Sequence, residues 1–393
     1  MKLRHILLLG TSFLAFVSPS DAQGNLKLEK ANAAVVGAFE THDIVMFGEM
    51  HGNKQEYAWL RSLVATPEFA DRVDDIVMEM GNSLYQKSVD RYVSGEDVPL
   101  EQVQNAWLNT VGVVGPPSPV TASLYEAVRE ENLKRRGKHQ MRILCGDPYI
   151  DWEKVKEKGD IAPYLANRDQ WFTQVVKDEV LAKHHRALLI IGSFHLLRVP
   201  PFPRKVSIEP ELQAAGANTY LIITGTNTPG GYDDLDHRFD SWPTPVIVSL
   251  AGNWVGELPA MSIVSGGGAE GYQWLMTSAL SSAASPSSPP PVKLKEVADA
   301  LLYLGTRDSL TSINMTRAEL EGTPYEKEIE RRLAIEEFPP AAQLESANRE
   351  TPQYSRPKAS NPEPPPPTPP PPTSAPPPKN VGPPPLPPRP PSQ

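Results

Sequence analysis

Short apolar runs recur along the chain, each bounded by polar or small residues and followed by a stretch of helical periodicity. The runs cover Asp43–Phe47, Asp75–Met80, Gln140–Cys145, Ala187–Ile191 and Thr219–Ile223, with a further one at Val246–Leu250. They are continuous rather than alternating, as strands covered on both faces require. Between them the pattern predicts helices over Lys54–Ala65, Ser83–Ser94, Leu100–Asn109, Thr121–Arg135 and Ile161–His184. Alternating strand and helix predicts an α/β fold, a doubly wound and mostly parallel sheet. The proline-rich Val114–Pro119 breaks a helical hairpin, which is expected to form a helical lid insertion over the sheet edge.

The two ends of the 393-residue chain fall outside this pattern. Lys2 and Arg4 precede an apolar stretch from Ile6 to Val17, and Ser20-Asp21-Ala22 offers a small-x-small cleavage site. Residues 1–22 therefore read as a signal peptide, too short for a spanning helix, with Gln23 opening the mature chain. This predicts an exported protein, periplasmic or extracellular, with no integral membrane segment after signal removal. At the other end, 351–393 is mostly proline and cannot bury a core or build backbone ladders. It is expected to be disordered, extended polyproline, reaching roughly 130 Å at about 3.1 Å per residue. A spacer role, or contact with cell-envelope components, is the expectation for this tail.

The remaining 23–350 suffices for one large domain, expected over 23–280. A Ser/Pro linker follows at 281–291, then a small C-terminal appendix over 292–345. Its Leu301, Leu302, Leu304 and Leu310 need a surface to cover, so it is expected to dock on the core. Thr316-x-x-Glu319 and Thr323-x-x-Glu326 both have the capping-box pattern.

Charge narrows the partners. The formal charge is −9, but the signal segment and the tail are basic, so the core is more acidic still. That argues against nucleic acid and anionic membrane surfaces without excluding a local basic pocket, and the expected partner is a small-molecule or peptide substrate. Cys145 is the single cysteine, so no internal disulfide and no thiolate zinc site can form. It is expected to be a buried small residue.

Chemistry gathers at the strand ends. Gly48-Glu49-Met50-His51-Gly52 and Gly192-Ser193-Phe194-His195 are two Gly-x-x-His turns, each leaving a strand-like run. Between them, Glu79 interrupts Ile76-Val77-Met78-Glu79-Met80. In a parallel sheet these residues share one edge, so Glu49, His51, Glu79 and His195 would meet in one crevice as catalytic residues. Burying an unpaired Glu79 would cost several kcal/mol. The competing reading pairs it with Arg61 or Arg91. Asp147 in Gly146-Asp147-Pro148-Tyr149 reaches the same edge, either as a further ligand or as an Asp-Pro turn. Asp151, Arg198 and His237 are weaker candidates, and His184-His185 reads as a structural helix end. Gly266–Gly271 matches G-x-G-x-x-G, but with only the linker behind it the match reads as a loop. Ser193 does not sit in a G-x-S-x-G elbow.

By these motifs and their order, Val36 to Leu250 resembles the superfamily joining erythromycin esterases, Tiki/TraB proteins and ChaN-type haem-binding proteins. The resemblance implies an α/β fold with a pocket over the sheet edge. Its esterase-like branch implies a His/Glu-activated water attacking a lactone. Its Tiki-like branch implies a metal-dependent peptidase using both histidines and a glutamate, and its ChaN-like branch implies haem. The chain lacks the lipoprotein cysteine of the ChaN pattern and the membrane anchor of the Tiki pattern.

Two functions are carried forward. The first is an exported hydrolase cleaving an ester, lactone or amide, with Glu49, His51, Glu79 and His195 activating a water. It would do so directly or through a divalent metal (Zn, Mn or Co) held by His51, His195, Glu49, Glu79 and Asp147. The second is a haem- or iron-binding cell-envelope protein with His51, His195 or Tyr149 as axial ligand.

Overall fold

Eight strands form the central sheet: β1 (Leu28–Lys30), β2 (Ile44–Glu49), β3 (Asp75–Asn82), β4 (Arg142–Asp147), β5 (Ala187–Gly192), β6 (Thr219–Gly225), β7 (Val246–Ser249) and β8 (Ala300–Tyr303). Their spatial order is β1-β7-β8-β6-β2-β5-β3-β4. The six strands from β8 to β4 are mutually parallel, and β7 runs antiparallel to both β8 and β1. The computed structural model describes residues 26–111, 118–199, 208–225, 238–260, 292–306, 309–336 and 350–352.

Helices follow the strands on both faces. In chain order they are α1 (Ala31–Ala38), α2 (Lys54–Val64), α3 (Pro67–Ala70), α4 (Gln86–Val93), α5 (Leu100–Leu108) and α6 (Val120–Lys134). Then come α7 (Lys158–Ala166), α8 (Arg168–Glu179), α9 (Ser193–Leu196), α10 (Ile208–Ala214), α11 (Leu294–Val297), α12 (Arg317–Leu320) and α13 (Pro324–Glu336). Strand side chains alternate between two apolar layers. Val45, Phe47, Ile76 and Ile222 pack with Leu60 of α2, Val103 of α5 and Leu124 of α6. Ile44, Met46, Val77 and Ile223 pack with Phe172 of α8, Leu212 of α10 and Val297 of α11. Every residue of β2 and β5 is buried, which explains why those runs carry no alternation in sequence. This is the α/β architecture with a mostly parallel sheet that the periodicity predicts.

The chain leaves β2 through α2 toward β3, and leaves β5 through α9 and α10 toward β6, on the opposite face. The winding therefore reverses between β2 and β5. In open α/β sheets the crevice outside the strand ends at such a reversal is where ligands bind.

Three features differ from the sequence expectations. The stretch Ile161–His184 is not one helix: Asn167 (φ −120°) divides α7 from α8. The side-chain amide of Asn167 donates to the Pro163 carbonyl at 2.8 Å, so it serves the end of α7 instead of a continuing ladder. Ala300–Tyr303 does not lie on the core surface but enters the sheet as β8, between β6 and β7. Thr351 and Pro352 belong to a strand rather than to the tail, for β9 (Thr311–Ile313) pairs antiparallel with β10 (Glu350–Pro352).

The rest of the former appendix is fastened by buried polar contacts. Arg332 of α13 stacks on Trp152 (4.3 Å) and donates to the Leu108 carbonyl at 2.9 Å. Arg331 donates to the carbonyls of Trp152 and Val155. Residues 1–22, 112–117 of the lid, the loop at 266–271, the 281–291 linker, His237, 337–345 and the tail beyond Pro352 lie outside the described residues. Among the described residues, no helix is long and apolar enough to cross a membrane.

Candidate active site

The strand ends place the chemistry. Glu49 closes β2 level with Gly192 at the end of β5. Glu79 lies on β3, the other neighbour of β5, where the β3–β4 register shifts between Met78 and Asn82. Glu49 and Glu79 are only 4% and 2% exposed. His51 and His195 stand just beyond the strands, on the turn before α2 and in α9.

The imidazoles flank Glu79. His51 Nε2 lies 3.8 Å from Glu79 Oε2, and His195 Nε2 lies 3.7 Å from Glu79 Oε1. Each ring has a carboxylate behind it: His51 Nδ1 is 3.2 Å from Glu49 Oε2, and His195 Nδ1 is 2.5 Å from Asp169 Oδ1. The result is a row, Glu49–His51–Glu79–His195–Asp169, drawn from four separate stretches of chain. A carboxylate on Nδ1 fixes the tautomer and leaves Nε2 facing Glu79. Gly192 permits the close approach: a Cβ there would sit 3.2 Å from His51 Nε2 and 3.4 Å from Glu79 Oε2.

Glu79 is also pinned. The Gly192 N–H donates to its Oε2 at 2.6 Å, and Arg168 Nη1 lies 2.8 Å from its Oε1. Neither Arg61 nor Arg91 is the partner: Arg61 is exposed, and Arg91 pairs with Glu96. Arg168 opens α8 and reaches Asp147 Oδ1 at 2.5 Å with its Nε. Asp147 in turn accepts from the Val111 N–H, so it buttresses Arg168 rather than joining the imidazoles.

Electrostatics follow from this arrangement. Burial works against the charge on Glu79, yet Arg168 and the two imidazoles outweigh it and hold its pKa at about 2. Burial pushes Asp147 up, with Arg168 opposing. The shared guanidinium thus favours Glu79, which both imidazoles also face. For His51, burial disfavours the cation, but Glu49 and Glu79 prevail and raise its pKa from 6.5 to about 9. The ring keeps 52% of its side-chain surface exposed, so this charge is partly screened by water.

Beneath lies a second tier. Tyr57 of α2 donates to Glu49 Oε1 at 2.6 Å. Glu56 is fully buried, accepting from the Met50 N–H at 3.1 and 3.2 Å and from the Thr224 hydroxyl at 2.9 Å. Burial and the neighbouring Glu49 push its carboxyl well above the usual range. Arg168, Asp169, Glu56 and Tyr57 are the site residues that sequence reasoning misses. Asn53-x-x-Glu56 carries a visible capping pattern, and Asn53 does cap α2 by accepting from the Glu56 N–H at 2.8 Å. The Glu56 side chain, however, reaches past Asn53 to Met50.

The weaker candidates among the described residues have partners outside this row. Tyr149 packs against Trp171, ring centroids 5.5 Å apart. Arg198 forms ion pairs with Glu209 and Asp299, tying α9 to α10 and to the start of β8. Asp151 pairs with Lys154, and His185 with Asp75 at 2.7 Å. Cys145 is buried and free, its thiol pushed up by burial.

By distance alone, Glu49, His51 and Glu79 could hold a metal ion, one donor atom of each lying within 4.8 Å of the others. Their hydrogen bonding fits an ion poorly. Both oxygens of Glu49 already face donors, Tyr57 and His51, and both oxygens of Glu79 face Gly192 and Arg168. An ion on Glu79 would meet a guanidinium on the same carboxylate.

No family model and no curated protein matches the chain. Solved structures similar to it include a succinoglycan biosynthesis protein (12% identity over 70% of this chain and 90% of that one, TM-score 0.42). An erythromycin esterase in its open conformation is 12% identical over 70% of this chain and 93% of that one, with TM-score 0.41. ChaN of Campylobacter jejuni, with cofacial haem binding, is 12% identical over 49% of this chain and 85% of that one, with TM-score 0.30. A likeness this distant shows neither this chain's family nor its chemistry.

Proposed function

We propose that the chain is an exported hydrolase of ester, lactone or amide bonds, working without a resident metal. The observation that supports this reading is the pair of imidazoles, each backed by a carboxylate on Nδ1 and each turning Nε2 toward Glu79. In this reading His51, oriented by Glu49, takes a proton from water through Nε2, and the oxygen attacks the substrate carbonyl. His195, oriented by Asp169, donates its own Nε2 proton to the leaving oxygen or nitrogen as that atom's bond to the carbonyl carbon breaks, and proton exchange with water then restores both rings. Glu79, kept ionised by Arg168 and the Gly192 N–H, stabilises whichever imidazolium is present. A positioned base or acid of this kind contributes about 10²–10⁴-fold.

The raised pKa of His51 has a kinetic consequence. Only its neutral form accepts a proton, so kcat/KM rises with pH toward about 9. Glu49→Gln removes the leading charge behind that rise and moves the profile toward lower pH while lowering the rate.

The test is an ester, lactone and amide panel with the purified full chain, with and without chelator. His51→Ala and Glu79→Gln are expected to lose about 10²–10⁴-fold with circular dichroism unchanged. Full turnover in Glu79→Gln rejects the assignment. Loss of activity to chelator, restored by Zn, Mn or Co, replaces the metal-free reading with the metal-dependent one. A Soret band on haem titration, lost in His51→Ala, favours the haem-binding alternative. Export predicts a mature N-terminus at Gln23, read by intact mass; an uncleaved chain in the cytoplasm contradicts it.

A further inference from the structure

The turn that carries His51 is bonded from outside by residues far along the chain. The Ile313 N–H of β9 donates to the Gly52 carbonyl at 2.9 Å, and Asn53 forms an antiparallel bridge with Ser312. Gly52–Asn53, β9 and β10 thus make a small three-stranded ribbon beside the His51 turn. Gln55 holds it at a second point, donating to the Ser309 carbonyl at 2.7 Å and accepting from the Thr311 N–H at 3.1 Å. Lys54 pairs with Glu350 of β10 at 2.9 Å, and Ser118 donates to the Ile313 carbonyl. The turn leaves little slack. Gly52 has φ +75°, and a Cβ there would stand 3.2 Å from Ser118 and 3.5 Å from the Ile313 carbonyl.

This ribbon is a poor candidate for core structure. β9 is three residues long, none of them buried, and its backbone groups go to β10 on one side and to the His51 turn on the other. On its inner side the turn is tied to the buried tier at its two ends, by the Met50 N–H to Glu56 and by Asn53, which accepts from the Glu56 and Tyr57 N–H groups. The Gly52 carbonyl, one residue past His51, takes its bond from the ribbon.

We infer that the β9–β10 ribbon, with Gln55 and Ile313 as its anchors, is a positioning element for His51 and sets its distance to Glu79. The catalytic part of this inference rests on the hydrolase reading; the mechanical part does not. A general base displaced by about 1 Å loses up to about 10²-fold in rate. Because His51 acts on the water and not on substrate binding, the loss falls on kcat, with KM held.

The experiment compares the full chain with Ile313→Pro, which deletes the N–H that reaches Gly52. Gln55→Ala serves as a milder variant that leaves the backbone intact, should Ile313→Pro fail to fold. Hydrogen–deuterium exchange is followed on peptides spanning the His51 turn and, as reference, β5. Faster exchange in the turn but not in β5, with a roughly 10- to 100-fold fall in kcat and unchanged KM and Tm, is the expected result. Unchanged exchange in the turn overturns the mechanical claim, whatever the activity. Faster exchange with wild-type kcat overturns the catalytic one. Should no substrate of the panel turn over, the hydrolase reading fails, and the exchange data alone still decide whether the ribbon holds the turn.

Discussion

One guanidinium, that of Arg168, serves both Glu79 and Asp147. Removing a partner from a buried ion pair leaves an uncompensated charge, which costs about 3–5 kcal/mol. Arg168→Met is therefore expected to lose that much in urea unfolding, whereas the double variant Arg168→Met with Glu79→Gln recovers part of it. Acid and alkali act on different groups. Glu79 has its folded pKa lowered from 4.5 to about 2, so its contribution is present above 4.5 and is lost as pH falls toward 2. His51 has its folded pKa raised, so its contribution is full below 6.5 and is lost as pH climbs through about 9. Unfolding midpoints at about pH 3, 6 and 10 check both: Glu79→Gln flattens the acid limb and His51→Ala the alkaline one. Asp147 is pushed the opposite way over the acid range, so the informative quantity is the difference between wild type and variant. At this scale Glu79 was legible because a carboxylate inside an apolar run has few innocuous explanations. Its cation was not, because Arg168 sits in a stretch that reads as mid-helix, and no spacing rule links it to β3.

Elements were legible where burial is continuous and obscure where topology decides. Strands β2 to β6 announce themselves as apolar runs, whereas β8 is four residues long and looks like any apolar segment seeking cover. The capping boxes show a similar division. Thr316 and Glu319 close theirs reciprocally, but Glu326 reaches back to the Gly322 N–H instead of Thr323. Sequence marks that a helix starts; it does not say which orphan donor the acid will choose. The outer strand β4 adds a prediction of its own. Gln86 of α4 donates to the Ile143 carbonyl at 2.8 Å and accepts from the Cys145 N–H at 2.7 Å, occupying an edge that would otherwise pair with another chain. Gln86→Ala is expected to cost about 1–3 kcal/mol in unfolding and to raise concentration-dependent association, read by light scattering.

Across the whole molecule, the site depends on where the winding reverses rather than on any motif. His51 and His195 leave adjacent strands toward opposite faces, so two similar turns meet at the strand ends where the winding reverses. The same strand order has a consequence for assembly. β1 is bonded only to β7, and β7 joins the parallel set only through β8. The five strands β2 to β6 can close by residue 225, but Leu28–Lys30, near the start of the chain, must wait for Ala300–Tyr303. Contacts of such long sequence separation form late. In pulse-labelled refolding, the amides of β2, β3 and β5 should gain protection first, and those of β1 and β7 together with β8. Early protection of β1 would refute that order. An early-made segment left waiting this long is the one most exposed to chaperones and proteases while the protein matures.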